Sequence, residues 1–216
     1  MQNCMRTVPK AGYGEYEEKR SRFLSFVFPV SSEEDAVGIL NDLSKKYWDA
    51  RHHCYAYRIN SETVVQRFSD DGEPSGTAGL PILEAIRKKE LNNVLVVVVR
   101  YFGGILLGAS GLVRAYGKAA SIGLEDAGVI TRKMCYQALL RIGYHLHGKI
   151  QNIAALNNFA ITNTEYTDVV EIEILVEPEK KDFFINTITE ASGGQAEICF
   201  LGETYADFDD NGSCIL

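Results

Sequence analysis

Long apolar runs are missing from this 216-residue chain: the longest, Val94 to Val99, holds six residues, whereas about 20 are needed to cross a bilayer. The opening Met-Gln-Asn-Cys-Met-Arg-Thr has no charged stretch leading into an apolar one, so no secretory signal is expected. Cysteine is sparse. Cys4, Cys54, Cys135, Cys199 and Cys214 form no Cys-x-x-Cys spacing, and an odd count without it supports neither a zinc knuckle nor a disulfide framework. Cys214 stands third from the end, where a prenylation box would need it fourth. No internal repeat is visible. These absences predict a cytoplasmic protein with no membrane partner. What remains is ordinary globular composition, 46% hydrophobic and 24% charged. A chain of this length buries roughly 70% of its unfolded surface and needs no staples to fold.

Charge is unevenly spread. Residues 1–134 hold 18 basic and 16 acidic side chains, and residues 135–216 hold 4 and 13. Such a split suggests two units with different surroundings, the second being either repelled by phosphate backbones or simply well solvated. Any nucleic-acid contact therefore belongs on the first.

Periodicity supplies the elements. Arg22–Val30 reads as a strand, Ser31 and Glu34 as a capping box, and 32–47 as an amphipathic helix carrying Ala36, Leu40, Leu43 and Tyr47. Cys54–Ile59 and Val64–Phe68 read as a hairpin turned by Asn60-Ser61-Glu62. A short helix follows Pro81 to about Glu90. Val94–Arg100 has the continuous apolar character of a strand buried on both faces, and a helix is predicted over 111–127. After a boundary near 128–135, strands at 136–142, 162–166, 169–176 and 196–201 alternate with helices at 149–159 and 179–191. That order is βαββαβ, the split pattern of ferredoxin-like domains. Residues 203–210 are acidic with little apolar pattern and predict a loose tail.

Two glycine-rich loops carry the candidate chemistry. The first, 69–79, contains Asp70, Asp71, Gly72, Glu73, Gly76 and Thr77. Carboxylates beside backbone free to take positive φ suit a loop that closes on a ligand or coordinates a hard cation such as Mg²⁺, or else a crossover whose aspartates cap turns. The second runs from Arg100, Tyr101, Phe102, Gly103 and Gly104 to Gly108, Gly111 and Arg114. Backbone amides after a strand and before a helix form an anion site, although neither Walker nor dinucleotide spacing is present. The arginines either clamp a phosphate or pair with the acids of the first loop. His52, close to Asp49 and Cys54, admits nucleophilic catalysis, but a cysteine in a strand among tyrosines also reads as a small core residue. His145 and His147 sit two apart at a strand end with no third ligand, so no metal is expected there. The two loops are expected to meet at one end of the first sheet, with an acid within reach of Arg100 or Arg114.

Read together, Ser69–Gly79, Val97–Gly104, Leu107-Gly108 and Gly111–Tyr116, with Lys19–Phe23 and Ala50–His52, resemble the IMPACT/YigZ family. The resemblance spans 19–120 and implies an α+β protein. Residues 1–132 would be similar to domain IV of elongation factor G, with a left-handed βαβ crossover. Residues 133–205 would be a ferredoxin-like domain and 206–216 an acidic tail. It also implies a translation-associated regulatory or RNA- and ribosome-binding protein, with no catalytic residue, metal or cofactor and no DNA sequence specificity. Its partner would be RNA, the ribosome or a translation-control protein. Lys19, Arg20, Arg22, Arg51, Arg87, Lys88 and Lys89 join Arg100 and Arg114 as basic contacts. The alternative from another class is an enzyme acting on a nucleotide or phosphorylated small molecule through the two loops.

Overall fold

The computed structural model describes residues 4–60 and 64–215, so the expected turn residues Ser61 and Glu62 lie outside it. It is a mixed α+β structure that divides into two compact units, Met1–Ile130 and Thr131–Leu216.

The first unit contains β1 (Cys4–Thr7), β2 (Gly12–Glu18), β3 (Ser21–Pro29), α1 (Glu33–Lys46), β4 (His52–Asn60), β5 (Val64–Ser69), α2 (Gly79–Lys88), β6 (Val94–Tyr101) and α3 (Ala109–Ala127). Its main sheet has the order β2-β3-β6-β4-β5, and every neighbouring pair is antiparallel. β3 and β4 flank β6, so the connection through α1 passes over the central strand. Val94 to Val99 are buried without exception because both faces are covered. Val94, Val96 and Val98 pack with α2 and α3, and Leu95, Val97 and Val99 with α1. The alternation is that of a pleated strand with two apolar sides.

The cap of α1 lies one residue later than the sequence suggested. Ser32 is the N-cap and its Oγ accepts from the Asp35 amide, while Asp35 reaches back to the Ser31 backbone amide. This is a reciprocal box with aspartate in place of Glu34.

The turn from β2 to β3 holds Lys19 and Arg20 between the paired Glu18 and Ser21, both at positive φ, +48° and +65°. Two left-handed residues define the hairpin turn that normally selects Asn-Gly. Lysine and arginine adopt it at a cost of about 1–2 kcal/mol each.

The second unit contains β7 (Ile130–Ile142), α4 (Tyr144–Leu156), β8 (Ala160–Tyr166), β9 (Val170–Val176), a 3-10 turn at Pro178–Lys180, α5 (Lys181–Ser192), β10 (Glu197–Phe208) and β11 (Cys214–Ile215). The sheet runs β11-β10-β7-β9-β8. α4 starts five residues before the expected helix because Leu146, Ile150 and Ala154 form its buried stripe. His145 and His147 therefore lie on a helix, not at a strand end. The expected loose tail is corrected too: Glu203–Phe208 continue β10 along β7. Ala206 and Phe208 are buried with Cys135, and Asp207 binds Arg132 through two contacts of 2.7 and 2.8 Å. Acidic side chains on the outer face disguised a half-buried strand.

Candidate functional site

The first glycine-rich loop is wound around one carboxylate. Asp70 accepts hydrogen bonds from the amides of Gly76 (2.8 Å), Ala78 (3.0 Å) and Gly79 (2.8 Å). Asp71, Gly72 and Gly76 supply the positive φ that the winding requires. Burial alone would raise the Asp70 pKa, but the three amides outweigh it and hold the carboxyl below its ordinary range. Its stabilisation is therefore complete above the unfolded value, about 3.9, and is lost as pH falls through the lower folded value. The expected result is that Asp70→Asn is clearly destabilised at pH 7, and that its gap from the parent narrows below about pH 4 in urea titrations. A gap unchanged down to pH 2.5 would contradict this account. Thr77 is buried with its hydroxyl donating to the Pro74 carbonyl, 2.6 Å away. The Asp71 carboxylate accepts from the His53 amide, and the Asp71 carbonyl lies 2.7 Å from His52 Nδ1.

Glu73 turns inward and brings the two loops together. Its Oε1 lies 2.5 Å from Arg100 Nη1 and accepts from the Tyr116 hydroxyl at 2.8 Å. The two charged side chains are only 4% and 7% exposed. Arg100 also donates to Ser21 Oγ at 3.3 Å and stacks over Phe23 and Phe102. The Cys54 thiol lies beneath, 3.0 Å from the Asp70 carbonyl and 3.4 Å from Tyr116 Oη. Burial pushes its pKa up to about 12, so at neutral pH it is a thiol rather than a nucleophile. The inner ends of both loops are thus paired and dry, as a structural crossover requires. His52 Nε2 stands 4.0 Å from Glu73 at the edge of this cluster.

The outer end of the second loop differs. The Tyr101 hydroxyl donates to Asp49, while Phe102, Ile105 and Leu106 are exposed, Leu106 by 82%. Gly103 lies flat on the backbone of Arg20: a Cβ there would fall 2.1 Å from the Arg20 carbonyl carbon. Gly104 and Gly108 take positive φ, and Gly111 enters the first turn of α3 against Leu107. Arg114 joins none of the acids of the first loop. Together with Lys19 and Lys118 it lines a cavity of about 320 Å³, with Tyr16, Glu18 and Leu107 as further walls and Gly111 and Ala115 also at its surface. Among the described residues none of the three cations makes an ion pair, although Arg22, Arg67, Arg87 and Arg100 of the same unit do. Sequence reasoning missed Tyr16, Glu18, Leu107 and Lys118. The four-residue spacing of Arg114 and Lys118, which places both on one helix face, was the available signal.

Comparison with known proteins follows the same division. The family model described as Impact N-terminal domain matches residues 19–124, and a domain of unknown function, DUF1949, matches 140–195. IMPACT family member YvyE of Bacillus subtilis is 41% identical over 192 residues, covering 89% of this chain and 88% of that protein. IMPACT family member YigZ of Escherichia coli is 31% identical over 199 residues, covering 91% and 98%. A crystal structure titled as that of a hypothetical protein, 28% identical, superposes with a TM-score of 0.58 over 92% of this chain and 97% of that one. Among the described residues no helix is long and apolar enough to cross a membrane.

Proposed function

The chain belongs to the IMPACT family, and on that premise we propose that it is a translation-associated RNA- or ribosome-binding protein of the cytoplasm that works without catalysis or cofactor. The carrying observation is the set of cations Lys19, Arg114 and Lys118, which make no ion pair among the described residues, beside the exposed loop of Phe102, Ile105 and Leu106. Cations neutralise phosphates and an exposed aromatic offers a stacking surface for a base. The acidic surplus of residues 135–216 leaves that contact to the first unit. The proposal extends to the fold. Residues 1–132 would form the IMPACT-type domain, similar to domain IV of elongation factor G. Residues from 133 onward would form a ferredoxin-like domain, a reading supported by the order β7-α4-β8-β9-α5-β10.

The test is binding of the full chain to ribosomes and single-stranded RNA across a salt series. Three phosphate contacts give a slope of log K against log salt of about −2, at about −0.7 each. Arg114→Gln combined with Lys118→Gln should flatten it by about 1.4. Undetectable binding at low salt, or a slope indifferent to both substitutions, would overturn the proposal. Salt-resistant binding that needs Phe102 and Leu106 would point instead to a protein partner.

A further inference from the structure

The cavity between the β2–β3 turn and α3 is more than a patch of positive surface. At about 320 Å³ it falls at the small end of the range of small-molecule sites, roughly 300–1,000 Å³. We infer that it is a binding site for a phosphomonoester, its phosphate held by Lys19, Arg114 and Lys118 and its organic part lying against Leu107 and Tyr16. The inference rests on the reading of this face as phosphate-binding and gives it a ligand class.

Four observations carry it. First, the cations line the cavity from two elements, the hairpin turn and two successive turns of α3, and among the described residues none has a carboxylate partner. Three convergent positive charges suit the charge of a phosphomonoester, about −1.5 to −2 at neutral pH, better than the single charge of a diester link. Second, Glu18 stands in the same wall with its carboxylate accepting from the Tyr16 hydroxyl at 2.8 Å. One acid among the cations disfavours a uniformly anionic ligand and offers an acceptor to a ligand hydroxyl or amine. Third, one wall is built from small residues: Gly111 and Ala115 are buried where they line the cavity, and a Cβ at 111 would stand 3.0 Å from the Leu107 Cβ. Fourth, Lys19 and Arg20 occupy left-handed positions that Asn-Gly would fill without strain. A hairpin that accepts this conformation for two cations holds side chains serving something other than the turn.

Calorimetric titration of the full chain would use AMP, adenosine, inorganic phosphate, and one oligoribonucleotide with either a 5′-phosphate or a 5′-hydroxyl. AMP and phosphate are expected to bind and adenosine not to. Arg114→Gln should weaken AMP by about tenfold, since a charge-assisted bidentate contact is lost. The double substitution Lys19→Asn, Arg20→Gly should move two readouts in opposite directions. The melting temperature rises by at least about 4 °C, which also shows that the variant folds, while AMP binding weakens. A preference for the 5′-phosphorylated RNA that disappears in Arg114→Gln, with AMP silent, identifies an RNA end as the source and supports the site. AMP binding without RNA binding supports the site and removes the RNA reading. If RNA binds regardless of its end while AMP and phosphate do not, the site is wrong and the RNA reading stands. AMP affinity that is unchanged in Arg114→Gln, or matched by adenosine, overturns the inference.

Discussion

Glu73→Ala is expected to destabilise the first unit by about 3–5 kcal/mol, the range for removing one partner of a buried ion pair. The loss does not measure the pair's own attraction. Arg100 cannot shed its proton, so the substitution leaves a guanidinium 7% exposed with Ser21 Oγ as its remaining hydrogen-bond acceptor among the described residues. Its Nε already lacks a partner among the described residues. The Tyr116 hydroxyl loses its acceptor in the same step. Glu73→Gln, which keeps an acceptor oxygen but no charge, should fall between the parent and the alanine variant. Replacing both residues with methionine should restore much of the loss, because two apolar side chains leave no charge to strand. Urea denaturation followed by circular dichroism measures all four proteins. A cost below about 1 kcal/mol for Glu73→Ala would mean that the pair behaves as a solvated surface bridge.

The same pair shows where sequence reading reaches and where it stops. The strand around Val94–Val99 was legible because a run with no polar alternation has few stable places other than between two apolar layers. The meeting of the two loops was also legible, since acids concentrated in one and arginines in the other invite pairing. Which arginine is paired was not. Arg100 ends a buried strand and must find an acid, while Arg114 lies on an exposed turn of α3 and pairs with no acid among the described residues. Only the tertiary arrangement separates them. Asp70 read more readily as a turn cap than as a ligand, but its three amide donors come from residues six to nine positions onward, a closure that no local pattern reports. The strand at Glu203–Phe208 was hidden because only Ala206 and Phe208 face the core. The turn at Lys19-Arg20 was invisible for the opposite reason: the residues that normally announce this geometry are absent. Strain at a site leaves no propensity signal, and here that strain lies beside the cavity.

Gly103→Ala should rank with Glu73→Ala in effect, and it connects fold to site. Gly103 does not have a positive φ, so glycine is needed there for space alone. An added Cβ would stand 2.1 Å from the Arg20 carbonyl carbon, 2.2 Å from its oxygen and 2.4 Å from the Ser21 nitrogen, all backbone atoms. No rotamer change relieves such contacts, so the loop must lift or the hairpin turn must move. Either displacement stretches the hydrogen bond from the Gly103 amide to Ser21 Oγ, which also accepts from Arg100. Overpacking of this kind costs about 1–3 kcal/mol and occasionally more, and the coupled hydrogen bonds place the expected loss at about 3 kcal/mol. Gly104→Ala is the control. Its φ is +83° with nothing within 4 Å of the added atom, so strain alone should cost about 1 kcal/mol. The two variants should also differ in phosphate affinity. Lys19 and Leu107 flank the point where Gly103 touches the turn, and a shift there changes the cavity they share, whereas Gly104 faces open space. Equal stability losses for the two glycines would show that the loop absorbs the clash by local bending and that the contact does not position the turn.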